Sequence, residues 1–253
     1  MFGHLLVIFM LLPSPWALAT PADDIRLAEL QIPQIAWDAL TGTSVLGVDD
    51  PADPKLGKRS ALRIKARLEN QFVNLKVTSL ELTPDGQRTL WLESLILEHE
   101  WYRELSRLGI HVPRLRGITQ LPSGAYALVT DFIEGLHFSV WGVEAKVLQH
   151  HRHFRFTEVM LADVQHALNK LSEGGIVAND VQFRLSGDGR AYLIDPEMFG
   201  KDPTLLVYPK DFYVRQIRTL ITHRRNLDYY ELSGEVVRNR CQELLLRVRG
   251  FFR

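Results

Sequence analysis

The chain has 253 residues, 46% of them hydrophobic, with 30 basic and 30 acidic side chains and a single cysteine. That apolar content excludes a disordered chain, and the even charge balance excludes a protein that holds nucleic acid by bulk electrostatics. Cys241, being alone, excludes an intrachain disulfide framework and a cysteine-rich zinc site.

Residues 5–12 (LLVIFMLL) form an apolar run of eight, followed by Pro13, Pro15 and the triplet Ala17-Leu18-Ala19. A short apolar core, a helix breaker and an A-x-A site predict a secretory signal over 1–19, cleaved after Ala19. The leader departs from the usual pattern in carrying no Lys or Arg before its apolar run. It implies a secreted or periplasmic protein. No later apolar run has spanning length, so no stable membrane insertion of the mature chain is expected, and a monomer is.

Residues 20–55 read as an N-terminal extension, a short helix and a loop rich in Pro, Gly and Asp. From 56 to 77 the pattern alternates, with Val73, Leu75 and Val77 on one strand face and Asn74 and Lys76 on the other. Apolar residues at helical spacing predict a helix over 90–108, stopped by Gly109. Residues 112–115 and 126–133 predict a hairpin around Pro122-Ser123-Gly124. A helix over 157–171 follows, with Thr157 as N-cap and Gly174-Gly175 as its stop. Residues 190–194 predict a strand, and two helices close the chain. A strand-rich first half and a helical second half make the fold class α+β with two lobes.

Two carboxylates bracket a turn. Asp180 follows Val177-Ala178-Asn179, Asp195 follows Tyr192-Leu193-Ile194, and Ser186-Gly187-Asp188-Gly189 lies between them. Two acids at the ends of one hairpin suit a divided task, one holding a divalent metal and one taking a proton. The plainer reading is that both only cap turns, as Asp does well.

The segment from Leu171 through Asp180 to Asp195 resembles the catalytic loop and metal-binding turn of the protein-kinase-like fold, and further pieces appear in that family's order. Val73-Asn74-Leu75-Lys76-Val77 resembles the strand of the phosphate-binding lysine, and Glu98 resembles the lysine's partner, with Glu93 and Glu100 as rivals. Residues 129–135, among them Asp131 and Ile133, resemble the hinge that offers backbone groups to adenine. Asp211 resembles the buried aspartate that braces the catalytic loop. The resemblance implies an N-lobe over 56–133 and a reduced C-lobe over 134–253, binding ATP and Mg²⁺. It gives Lys76 to the phosphates, Asp195 to the metal and Asp180 to the acceptor hydroxyl.

Departures are specific. Of the glycine-rich phosphate loop only Gly57 remains, with Ser60 beside it. Leu185 stands where the second metal-binding Asn belongs, with Gln182 or Asn179 as the replacement and Gln182 the favoured one. Asp180 and Asp195 are 15 residues apart, and Asp195 and Asp211 are 16 apart, which leaves no room for a long activation segment. These reductions resemble minimal effector kinases of bacterial pathogens that phosphorylate the eukaryotic ninety-kilodalton heat-shock chaperone. The resemblance implies a constitutively active Ser/Thr kinase acting on a protein, a host chaperone being one acceptor of that class. Three other readings stay open: a pseudokinase scaffold, a small-molecule phosphotransferase of the same fold, and transfer of AMP in place of phosphate.

Overall fold

The computed structural model describes residues 21–48, 61–78, 90–139, 143, 154–178, 181–196, 199–201 and 210–223. The chain is α+β and divides into two units, drawn from residues 1–107 with 113–132, and from 108–112 with 133–253.

In the first unit, helix α1 (Pro21–Glu29), strands β1 (Gln34–Ile35) and β2 (Leu40–Val48), and strands β3 (Ala61–Leu68) and β4 (Gln71–Thr78) come in turn. Helix α2 (Leu90–Arg107) and strands β5 (Leu115–Gln120) and β6 (Tyr126–Asp131) complete it. They make one six-stranded sheet in the order β1-β5-β6-β4-β3-β2, antiparallel except where β1 runs parallel to β5. The β3–β4 hairpin closes through Glu69-Asn70, with Glu69 at φ 55.

Alternation sets the faces. Ile64, Ala66, Val73, Leu75, Val77, Ala127 and Val129 form one apolar cluster, joined by Leu40 and covered by Ile35 and Trp37. Residues 34–48 therefore do more than the helix and loop expected of the 20–55 segment, because β1, β2 and the turn between them belong to the sheet and its core. Pairing of β2 with β3 shifts register between Thr41 and Ser44 and again between Val45 and Gly47. Such irregularities erase the two-residue period by which a strand is read. The parallel β1 comes so close to β5 that a Cβ on Gly117 (φ 137) would lie 2.1 Å from the Pro33 carbonyl oxygen. The first hairpin strand also sits later than expected, at Leu115–Gln120 and not at 112–115.

The second unit holds strand β7 (Gly135–Phe138), helix α3 (Glu158–Glu173), strands β8 (Val177–Ala178), β9 (Gln182–Ser186), β10 (Ala191–Ile194) and β11 (Phe199–Gly200), and helix α4 (Lys210–His223). The order β10-β9-β7 makes one small sheet, and β8 pairs with β11 in another. This unit is less purely helical than expected. Thr157 caps α3 as expected, its Oγ1 accepting from Met160 N–H, and Gly175 (φ 60) follows its end. Phe138, Phe183 and Tyr213 pack with ring centroids 6.2–6.3 Å apart in the core. The last 30 residues, with the second C-terminal helix, and the leader over 1–19 lie outside the described residues. Among the described residues no helix is long and apolar enough to cross a membrane.

Asp163 of α3 ties this unit together. Its carboxylate accepts from Arg190 Nε (2.9 Å), from Arg190 Nη2 (3.0 Å) and from Ala191 N–H (3.0 Å). Its Oδ1 lies 3.1 Å from His111 Nδ1, while Leu193 N–H donates to the His111 carbonyl. The connector and β10 are thus pinned to one partly buried acid. Asp163→Ala is expected to cost about 1.5–3 kcal/mol, the range for hydrogen bonds to charged groups, read as a lowered urea midpoint.

Candidate active-site residues

Strand β4 lies between β6 and β3, in the interior of the sheet. Lys76 on it is therefore no exposed edge lysine. It is 3% exposed, and its Nζ donates to Glu98 Oε2 at 2.9 Å. Glu98 is 1% exposed and projects from α2, whose buried Leu92, Leu95, Ile96, Tyr102 and Leu105 set the helix on this face. Its rivals are accounted for: Glu93 is paired with Arg26, and Glu100 is exposed.

Burying two charges costs more than burying hydrocarbon of the same volume, so an ion pair of this kind is poor evidence of a stabilising device. A lysine held charged, desolvated and fixed in direction is, by contrast, what phosphate neutralisation requires.

Of the hinge residues, Asp131 spends its N–H on the Arg114 carbonyl (2.9 Å), and its carboxylate accepts from Arg116 Nε at 2.6 Å. That backbone N–H is therefore engaged with the segment just before β5. Phe132 N–H is likewise committed to the Phe72 carbonyl. Ile133 is half-buried and begins the second unit. Gly57, Ser60 and Asp180 lie outside the described residues.

Asp180 nevertheless has fixed neighbours. Ala178 pairs with Phe199 in the β8–β11 ladder, and Gln182 pairs with Ile194 in the β9–β10 ladder. Val181 N–H donates to Tyr213 Oη at 3.2 Å, in the core. That bond corrects another expectation. Asp211 is exposed, and the fully buried Tyr213 holds this loop from behind. Helical phase explains it: Tyr213, Val214, Ile217 and Leu220 share the buried face of α4, and Asp211 falls about 200° away from Tyr213. That periodicity, visible in the sequence, is the signal the reading of Asp211 missed.

Asp195 ends β10 at φ 60, one of three described non-glycine residues in the left-handed region. Such backbone concentrates at functional turns and is tolerated by Asp better than by most residues. Magnesium is commonly held by one or two carboxylates together with substrate phosphates, and the hard oxygens of Asp195 fit that role. Gln182 fits less well, because its Oε1 already accepts from His137 Nε2 at 2.9 Å. No group of three His, Cys, Asp or Glu able to hold a metal occurs among the described residues. No protein-family model matches the chain, and a search among curated proteins returned no match.

Beside Glu98, His99 is buried with no partner for Nδ1 among the described residues. Burial first, and then the Arg103 guanidinium, push its pKa down from 6.5 to about 4.

Two predictions follow from α2. Lys76→Met and Glu98→Gln should each destabilise the protein by about 3–5 kcal/mol, and the double variant by clearly less than their sum, since each single change strands a buried charge. Urea unfolding of the four proteins checks this. The unfolded chain binds the His99 proton more readily than the folded one, so this residue's contribution is complete above pH 6.5 and is lost as pH falls towards 4. The difference in unfolding free energy between wild type and His99→Leu should therefore change by up to about 1.4 kcal/mol per pH unit in that window.

Proposed function

We propose that the chain is an exported, minimal protein-kinase-like phosphotransferase that moves the γ-phosphoryl group of ATP to a Ser or Thr hydroxyl of a protein. The observation that carries this reading is the buried Lys76–Glu98 pair on an interior strand. Supporting it is the chain order of the first unit. Strands β2, β3 and β4, helix α2 and strands β5 and β6 follow one another, with the lysine on β4 and its glutamate on α2.

In this reading Lys76 neutralises the α- and β-phosphates, and Glu98 keeps its ammonium charged and directed. Asp180 orients the acceptor hydroxyl. Its oxygen bonds to the γ-phosphorus as the bond to the β–γ bridging oxygen breaks, ADP departs, and the hydroxyl proton passes to the Asp180 carboxylate. Asp195 would hold Mg²⁺, which supplies charge neutralisation at the phosphate oxygens. The acceptor class is a protein met outside the producing cell, a host chaperone among the candidates, since residues 1–19 read as an export signal.

A scaffold of the same fold is the second reading, favoured by Gln182 being engaged with His137 and by the loss of phosphate-loop glycines. Incubation of the purified chain with γ-labelled ATP, Mg²⁺ and candidate proteins separates the two. Transfer should occur and fall roughly 100-fold or more in Lys76→Met and Asp195→Asn, the scale of losing a positioned charge. Undiminished transfer in Asp195→Asn, or none by the wild type, overturns the enzyme assignment.

A further inference from the structure

Strand pairing lays out three cross-strand rows on the Lys76 face of the sheet. Arg63, Lys76 and Leu128 make the first, Lys65, Asn74 and Thr130 the second, and Arg67, Phe72 and the residue after β6, Phe132, the third. Successive rows on one face are about 6.8 Å apart, so the three rows cover about 14 Å along the strands. Exposure rises along the way. Lys76 is buried, Asn74 is half-buried, and Phe72 is 46% exposed.

The nine positions hold four cations and no acid. Lys76 is matched by Glu98, but neither Lys65 nor Arg67 has a carboxylate partner among the described residues. Lys65 Nζ instead sits 4.2 Å from the ring centroids of both Phe72 and Phe132, and the Arg67 guanidinium lies 4.8 Å from the Phe72 ring. Two rings hold an ammonium in place without neutralising it. Cations with no carboxylate partner among the described residues, beside aromatic rings and in line with a phosphate-type lysine, suit a ligand that is anionic at one end and planar at the other.

We propose that this face takes a nucleoside triphosphate with its phosphates at Lys76 and its base towards Lys65, and that Lys65 selects guanine over adenine. The inference rests on the nucleotide reading above and changes its donor, making GTP the preferred nucleotide and ATP the weaker one. An ammonium has three donors and no acceptor. Guanine presents two acceptors, O6 and N7, on one edge, whereas adenine presents N7 beside an amino group that is itself a donor. Lys65 therefore completes guanine's edge and confronts adenine's amine.

Competition of unlabelled GTP and ATP against a ribose-labelled fluorescent GTP, on the full chain with Mg²⁺, tests this. GTP should bind about tenfold more tightly than ATP, the low end of discrimination by a directed base contact. Lys65→Met and, separately, Lys65→Gln should bring the ratio close to one by weakening GTP and leaving ATP unchanged. ATP binding as tightly as GTP to the wild type, or a ratio unmoved in a folded Lys65 variant, overturns base selection while leaving the nucleotide reading intact. Failure of both nucleotides to bind the wild type overturns the nucleotide reading itself, and this inference with it.

Discussion

Two opposite charges at 2.9 Å, both almost completely out of water, are costly to assemble unless the surrounding chain fixes them. Lys76 needs strands on both sides so that its backbone groups are satisfied, and β3 and β6 supply them. Glu98 needs a helix whose apolar stripe seats it against that strand, and Leu95, Tyr102 and Leu105 supply the stripe. The pair therefore depends on the sheet order and on α2 at once. An error in either would leave an unpaired buried charge, the most destabilising of outcomes for a side chain of this type.

The same sheet explains why its two faces differ so sharply. Residues 35–40 fold over the side lined by Ile64, Val73, Leu75 and Val129, and this closes the apolar cluster locally. Tyr126 Oη donates to Asp24 at 2.9 Å, so α1 is fastened to β6 as well. With its hydrocarbon face closed by the N-terminal segment, the sheet carries its charged side chains on the other. Arg63, Lys65 and Arg67 alternate with Ile64 and Ala66 for that reason, and not because β3 is an exposed edge.

What was legible in the sequence is what a local period or a local cap encodes. Val73, Leu75 and Val77 declared their face, Thr157 its cap, and Gly109 and Gly175 their helix ends. Lys76 was placed on the right face, but its burial was not legible, because burial depends on which strands pair with β4 across gaps of dozens of residues. The pairing of Glu98 was resolved only once helix phase and the Arg26–Glu93 contact separated it from its rivals. Strand β2 went unread because two register shifts interrupt its alternation. Asp211 matches the family only in chain order, whereas the helical period of α4 buries Tyr213 and leaves Asp211 exposed. The amide of Gln182 was read as free for a ligand, yet a residue 45 positions away occupies it.

The turn at Asp195 shows how the second unit supports a strained residue. Left-handed backbone at a residue with a Cβ costs on the order of 1 kcal/mol, and it persists only where neighbours over-determine it. Here the neighbours are two ladders. β10 is held along its length by β9, with Leu193 N–H also bonded to the His111 carbonyl, so the chain reaches Asp195 in a fixed direction. Four residues later β11 is held against β8. Asp195, at φ 60, is the first residue after β10 on the way between these two ladders. The Tyr213 hydroxyl acts on the other side of the same construction, pinning Val181 between β8 and β9. Asp195 thus leaves a strand whose direction is set by backbone pairing. A turn-capping aspartate and a ligand-positioning one share the same sequence spacing, so spacing alone could not separate those two roles.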